Sequence, residues 1–188
     1  MTQGELLFDG KEKKIYTTED PDVVLIHYTD VATAFGGIKS AVLKGKGECT
    51  NSVSAAVFAE LTRKGIPNHF IRKVSDRDQL CHRIEIIPLQ VIVRNRLTGT
   101  TARMLGVENG MRIPNTVFEL RLNDDDLHDP MINDHHAVAL GIVTYAELGY
   151  IYDLARRVND ALVDFYAKAG IELVDFKMEC GRSAGGDI

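Results

Sequence analysis

Between Thr144 and Cys180 the hydrophobic pattern changes period, and this change restricts the C-terminal half of the chain to a long helix followed by a strand. Thr144-Tyr145-Ala146-Glu147 is a capping box, in which the threonine hydroxyl and the glutamate carboxylate each satisfy an amide left open at a helix start. Leu148, Ile151, Leu154, Ala155, Val158, Leu162 and Phe165 then recur at helical spacing on one face, and Gly170 ends the run. From Ile171 to Cys180 the period becomes two. Val174, Phe176 and Met178 fall on one side, where they can pack on the helix; Asp175, Lys177 and Glu179 fall on the other. The chain then turns at Ser183-Ala184-Gly185-Gly186.

The N-terminal half reads as short strands separated by turns. Leu6-Leu7-Phe8, Lys14-Ile15-Tyr16 and Val23 to Ile26 are divided by Asp9-Gly10 and Asp20-Pro21. Asp30 to Gly47 has no clear period and reads as a long functional loop, whereas Asn51 to Arg63 has one apolar face and reads as a helix ended by Gly65-Ile66-Pro67. Strands are expected at His69 to Val74, Gln79 to Ile87 and Leu89 to Arg96, with a first lobe closing near Pro88.

Composition excludes several classes of function. A formal net charge of −5 gives no general electrostatic grip on nucleic acid, which requires a basic face. Cys49, Cys81 and Cys180 are widely spaced, form no C-x-x-C pair and read as free thiols of a cytoplasmic protein. Charged or turn residues interrupt every apolar run before about 18 residues, so no membrane role is expected.

Four segments carry candidate chemistry. The row Asp175, Lys177, Glu179 could bind a divalent cation and phosphate oxygens together, because magnesium prefers hard oxygen ligands; an amphipathic strand with self-pairing charges accounts for the same letters. Gly10-Lys11-Glu12-Lys13 places open amides and two ammonium groups at a turn, which suits phosphate, although it is no Walker A loop and a solvated hairpin reads the same way. Arg94 precedes Leu97-Thr98-Gly99-Thr100, a guanidinium beside hydroxyls and turn amides that suits a phosphomonoester or a surface ion pair. Asn123 to Pro130 crowds four carboxylates with His128, as a metal or ribose site or as an acidic capping loop.

Taken in order, GKEKKIY at 10–16, AFGGIKSAVLKGKG at 34–47, IPLQVIVRNRLTGT at 87–100, DDLHDPMIN at 125–133 and LVDFKMECG at 173–181 resemble the SAICAR synthetase family over essentially the whole chain. The resemblance implies an α+β, two-lobed fold: a β-rich, kinase-like nucleotide lobe over 1–87, an ATP-grasp-like lobe over 88–188, and an active site in the cleft. It implies joining of L-aspartate to the carboxylate of carboxyaminoimidazole ribonucleotide with ATP and Mg2+, in a homo-oligomer. By that resemblance Gly10, Lys11 and Lys13 hold ATP phosphates, and Ile86 meets the adenine. Arg94 and Thr100 grip the acceptor's 5′-phosphate and Asp129 its ribose side. Lys177 faces the reacting carboxylate and phosphoryl group, and Glu179, with Asp175, ligates magnesium.

The chain departs from the family pattern at Gly36 (often Asp or Asn), Gln90 (usually Glu), Thr100 (usually Ser), Asn123 (commonly a nucleotide-contacting Lys) and Cys180 (often aromatic). It ends at GGDI, where the family continues with a D-E-x-S-P-D strand carrying a further metal ligand, so weakened or absent turnover of the 188-residue form is expected. Two other readings fit the residues: a ligase or phosphotransferase with a different acceptor, and a nucleotide-binding remnant without turnover.

Overall fold

The computed structural model describes residues 3–34, 39–124 and 126–188, and Met1–Ile84 and Glu85–Ile188 form two compact units. In the first, β1 (Leu6–Asp9), β2 (Lys13–Thr17) and β3 (Val23–Tyr28) form an antiparallel meander. A separate ribbon, β4 (Val31–Ala34) and β5 (Lys39–Val42), precedes α1 (Lys46–Arg63). Strands β6 (Phe70–Lys73) and β7 (Asp78–His82) complete a five-stranded sheet of order β1-β2-β3-β7-β6. In the segment expected to be a loop over 30–47, eight of the described residues are therefore ribbon. Its strands are four residues each, and those of β5 are all exposed, too short and too wet to show a periodicity.

Helix α1 starts five residues before the expected Asn51, and a tertiary contact explains its position. Gly45, at φ 86°, supplies no side-chain cap. Instead the Asp30 carboxylate accepts from the Gly47 amide at 2.9 Å and is itself gripped by both terminal nitrogens of Arg77 at 2.8 and 2.9 Å. Arg77, helped by the Gly47 amide, holds the Asp30 carboxyl far below the usual range. Gly47 must be glycine, because a Cβ there would lie 2.5 Å from the Tyr28 carbonyl. Further along α1, Asn51 is fully buried and donates to the carbonyls of Ser75 and Asp76, fastening the helix to the β6–β7 turn.

The second unit is a four-stranded antiparallel sheet of order β10-β9-β8-β11, with β8 (Glu85–Leu97), β9 (Met111–Leu122), β10 (Met131–Ile132) and β11 (Asp175–Arg182). Helices α2 (Gly99–Leu105), α3 (Asp134–Ala139) and α4 (Tyr145–Ala167) complete it. Strand β8 runs through Pro88, past the break expected between 87 and 89. Pro88 has no N–H to donate, and it sits where Cys180 alone opposes Ile87, Pro88 and Leu89, a bulge that needs no ladder bond from it. Ile87, Leu89, Val91 and Val93 point to one face and are at most 2% exposed. Helix α4 covers that face: its Leu148, Ile151, Ala155 and Ala161 are buried, each large apolar side chain contributing about 1.5–3 kcal/mol. A reciprocal amide pair, Asn95 with Asn159 at 2.8 and 3.2 Å, fixes its register on β8, and Tyr152 packs edge-on to Phe118. The Thr144–Glu147 capping box forms as the sequence predicts, and Glu147 also accepts from Arg182 at 2.8 Å. No helix among the described residues is long and apolar enough to cross a membrane.

Candidate active site

The first cluster lies in the N-terminal unit. Phe8, Gly10, Lys11, Glu12, Lys13, Tyr28 and Thr50 line a cavity of about 400 Å³, within the range of small-ligand sites. Gly10 has no room for a side chain, because a Cβ would lie 2.6 Å from the Phe8 ring and 2.7 Å from the Lys13 carbonyl. Lys14 pairs with Asp9 at 2.8 Å, and Glu12 is drawn to Lys46 at 3.0 Å and the Thr33 hydroxyl at 3.0 Å. Lys11 and Lys13 make no ion pair among the described residues, so two ammonium groups stand at the cavity without a protein counter-ion. Burial, and then the positive charge of Lys13, push His69 down to about 4, keeping that imidazole neutral at physiological pH. Phe8, Tyr28 and Thr50 are lining residues that the sequence reading missed. The pairing of β2 with β3 places Tyr28 opposite Lys13, a register that the sequence alone does not display.

The second cluster is the face of the C-terminal sheet opposite α4. Antiparallel register sets residues side by side in three rows: Asp175 beside Arg94, Lys177 beside Ile92 and Glu119, and Glu179 beside Gln90 and Arg121. Arg94 is the most tightly held. Its Nε and Nη2 donate to Glu119 at 2.7 and 3.2 Å and its Nη1 to Asp175 at 2.8 Å, leaving two of its five N–H groups. Asp175 also accepts from the Thr98 hydroxyl at 3.3 Å and Glu119 from Thr101 at 3.2 Å. Lys177 and Glu179 are more open and lie 3.6 Å apart, head to head. Thr98 was read in the sequence only as part of the 97–100 turn, and Glu119 was not singled out; Glu119 is legible afterwards from the alternation Phe118, Leu120, Leu122 against Glu119 and Arg121.

The remaining expected residues sit around this face. Thr100 is in the first turn of α2, exposed, its hydroxyl accepting from Arg103 at 3.0 Å. Asp129 adopts φ 49° directly after His128 at φ 59°; its carboxylate accepts from the Asp124 amide at 3.0 Å and its carbonyl from Arg121 at 3.1 Å. Gln90, 3% exposed, donates to Asn123 at 2.7 Å, so both departures from the family pattern close on each other as a neutral amide pair. Ile86 is 48% exposed, opposite Gly181. Gly36 lies outside the described residues. His135 and His136 bond to Tyr145 and to the α3 N-cap.

Magnesium fits this face through one carboxylate. Asp175 and Glu179 are four residues apart on one strand, about 13 Å by strand rise, so they cannot both ligate one ion directly. Among the described residues no three carboxylate, imidazole or thiol groups converge. Asp175 is committed to Arg94 at 2.8 Å, whereas Glu179 has the looser Lys177 pairing at 3.6 Å, and magnesium commonly takes one or two carboxylates with the rest of its shell from phosphate and water.

The SAICAR synthetase family model matches residues 6–188. A phosphoribosylaminoimidazole-succinocarboxamide synthase of Clostridium botulinum (strain Loch Maree / Type A3) is 48% identical over 186 residues, 99% of this chain and 80% of its own length. Its counterpart from Clostridium perfringens (strain SM101 / Type A) is 48% identical over 185 residues, 98% of this chain and 79% of its own. Among solved structures, the Ehrlichia chaffeensis phosphoribosylaminoimidazole-succinocarboxamide synthase superposes with a TM-score of 0.92 at 34% identity, covering 95% of this chain and 75% of that one. A SAICAR synthetase (Type-2) in complex with ADP gives 0.92 at 39% identity, covering 97% and 77%. By sequence over almost its whole length, and by fold, this chain belongs to the SAICAR synthetase family.

Proposed function

We propose that this chain ligates L-aspartate to the carboxylate of carboxyaminoimidazole ribonucleotide, converting ATP to ADP and phosphate in purine biosynthesis in the cytoplasm. The observation that carries the reading is the sheet face on which Lys177 and Glu179 stand open beside a clamped Arg94, in a chain of this family. A carboxylate resists amine attack until one of its oxygens becomes a good leaving group. The acceptor carboxylate oxygen attacks the γ-phosphorus of ATP, the bond to the ADP oxygen breaks, and an acyl phosphate forms. The aspartate amine then attacks the acyl carbon, phosphate leaves, and the amine gives up a proton.

Each step gathers negative charge, and the cations assigned here offset it. Lys11 and Lys13, with the Gly10 turn, hold ATP phosphates at the first cavity, and Ile86 offers its exposed side chain to adenine. Lys177 neutralises the acceptor carboxylate and the transferring phosphoryl group. Arg94 presents its two remaining N–H groups to the 5′-phosphate, beside Thr100, and Asp129 takes the ribose side. Asp175 acts by orienting Arg94 in this scheme. Glu179 would hold magnesium, whose chemistry is to screen the phosphate charges.

Aspartate-dependent ADP release in the presence of ATP, magnesium and carboxyaminoimidazole ribonucleotide tests the reading, and ADP release that ignores aspartate would refute it. Transfer of carboxylate oxygen-18 into phosphate tests the acyl phosphate; its absence would exclude that intermediate.

A further inference from the structure

Arg121 is a cation for which the fold provides no carboxylate among the described residues. Its Nη1 donates to a neutral backbone carbonyl, that of Asp129, at 3.1 Å. Its Nε is buried without any hydrogen-bond partner. The residue directly across on β8 is Gln90, and Gln90 carries no charge and has turned its amide to Asn123. A half-buried guanidinium whose Nε–H is shut off from water with no acceptor, and which has no counter-ion, is costly to leave unpaired, and this points to an anion that arrives from outside. The contrast with Arg94 on the same face is direct, since Arg94 is met by two carboxylates.

Position identifies the anion. Arg121 belongs to the row of Gln90 and Glu179, at the opposite end of the face from Arg94 and Asp175. On the reading proposed above, Glu179 works at the phosphates of ATP and Arg94 at the acceptor's 5′-phosphate. We propose that Arg121 is a nucleotide-binding residue whose guanidinium meets phosphate oxygens of ATP, and that it supplies the positive charge that the neutral Asn123, one residue past the end of β9, does not. Asn123 and Gln90 then serve to leave Arg121 unpaired, because a carboxylate at either position would compete for it.

The inference rests on the ligase reading, and the experiment separates the two. Binding of a non-hydrolysable ATP analogue and KM values for both nucleotides are measured for the parent, R121K, R121Q and R121Q/N123K. The expected result is at least a tenfold weaker ATP-analogue affinity in R121Q, partial retention in R121K, recovery in R121Q/N123K, and an acceptor KM within twofold of the parent. An unchanged ATP affinity in R121Q, or a rise confined to the acceptor KM, overturns the proposal. A measurement on the parent guards against variants that fail to fold: the Arg121 Nε–H resonance shifts on addition of the ATP analogue and not on addition of the acceptor. Binding of the analogue without that shift overturns the role of Arg121, whereas a parent that binds no ATP analogue overturns the ligase reading itself.

Discussion

Replacing Glu119 with glutamine isolates the energetic role of the clamp on Arg94. The Glu119 and Arg94 side chains are 7% and 11% exposed, so theirs is a buried pair, whereas the Asp175 side chain is 38% exposed. Glu119→Gln conserves volume but removes the charge, and it turns an amide donor toward a guanidinium that can only donate. Arg94 is then left with one half-wet partner. Breaking a buried pair on one side costs about 3–5 kcal/mol. At a urea slope of about 2 kcal/mol/M, this lowers the unfolding midpoint of the C-terminal unit by roughly 1.5–2.5 M. Asp175→Asn disrupts the more exposed arm of the same clamp and is expected to cost at most about 1 kcal/mol. Urea unfolding followed by circular dichroism, with amide exchange of β8 to assign the transition, measures both. A Glu119→Gln variant within 1 kcal/mol of the parent, or an Asp175→Asn variant equally destabilised, would refute the assignment of Glu119 as the main counter-charge of Arg94.

Lys177→Met is expected to lower kcat by roughly 10²–10³-fold, as for loss of a group that stabilises transition-state charge, with fold and ATP affinity retained; an unchanged kcat would remove Lys177 from the chemistry. The Glu147 carboxyl is held down at about 2 by the Thr144 amide and Arg182. Its folded value lies below its unfolded one, so its contribution is full above about pH 4.5 and is lost as pH falls toward 2; Glu147→Gln should flatten that part of an acid-unfolding profile. Burial pushes the Cys81 thiol up to about 12 and Cys180 up to about 11, whereas Cys49 is exposed. Iodoacetamide at pH 8 should therefore add one label to the native protein and three after unfolding, by intact mass. Gly149→Ala, inside α4 with nothing within 4 Å of the new Cβ, should stabilise by about 0.5–1 kcal/mol, whereas Gly10→Ala should distort the hairpin and weaken nucleotide affinity.

The parts legible in the sequence were those in which local physics and tertiary structure agree. Helix α4 announced itself through a capping box and an apolar stripe, and both are realised. The alternation of β11 placed Asp175, Lys177 and Glu179 on one face, and the register keeps them there. The start of α1 was not legible, because its cap is the Asp30 carboxylate, 17 residues away. Strand β9 went unread although its second half alternates cleanly; Pro114 and Asn115 in its first half break the pattern. The commitment of Asp175 to Arg94 was out of reach for a similar reason. Spacing puts Asp175 on the wet face, but only the pairing of β8 with β11 reveals that a guanidinium is waiting there.

That pairing governs when the site can exist. Arg94 and Asp175 are 81 residues apart in the chain. At a synthesis rate of about 5–20 residues per second, β8 waits on the order of 4–16 s on the ribosome for its β11 neighbour. During that interval the edge of β8 that β11 later covers has no strand to bond it. A nascent chain in this state presents a long, hydrophobic edge to other chains, the geometry that invites aggregation or chaperone capture. The acceptor face is thus assembled only after β11 has been made, and a ribosome pause after β9 would lengthen the exposure without altering one residue of the finished site.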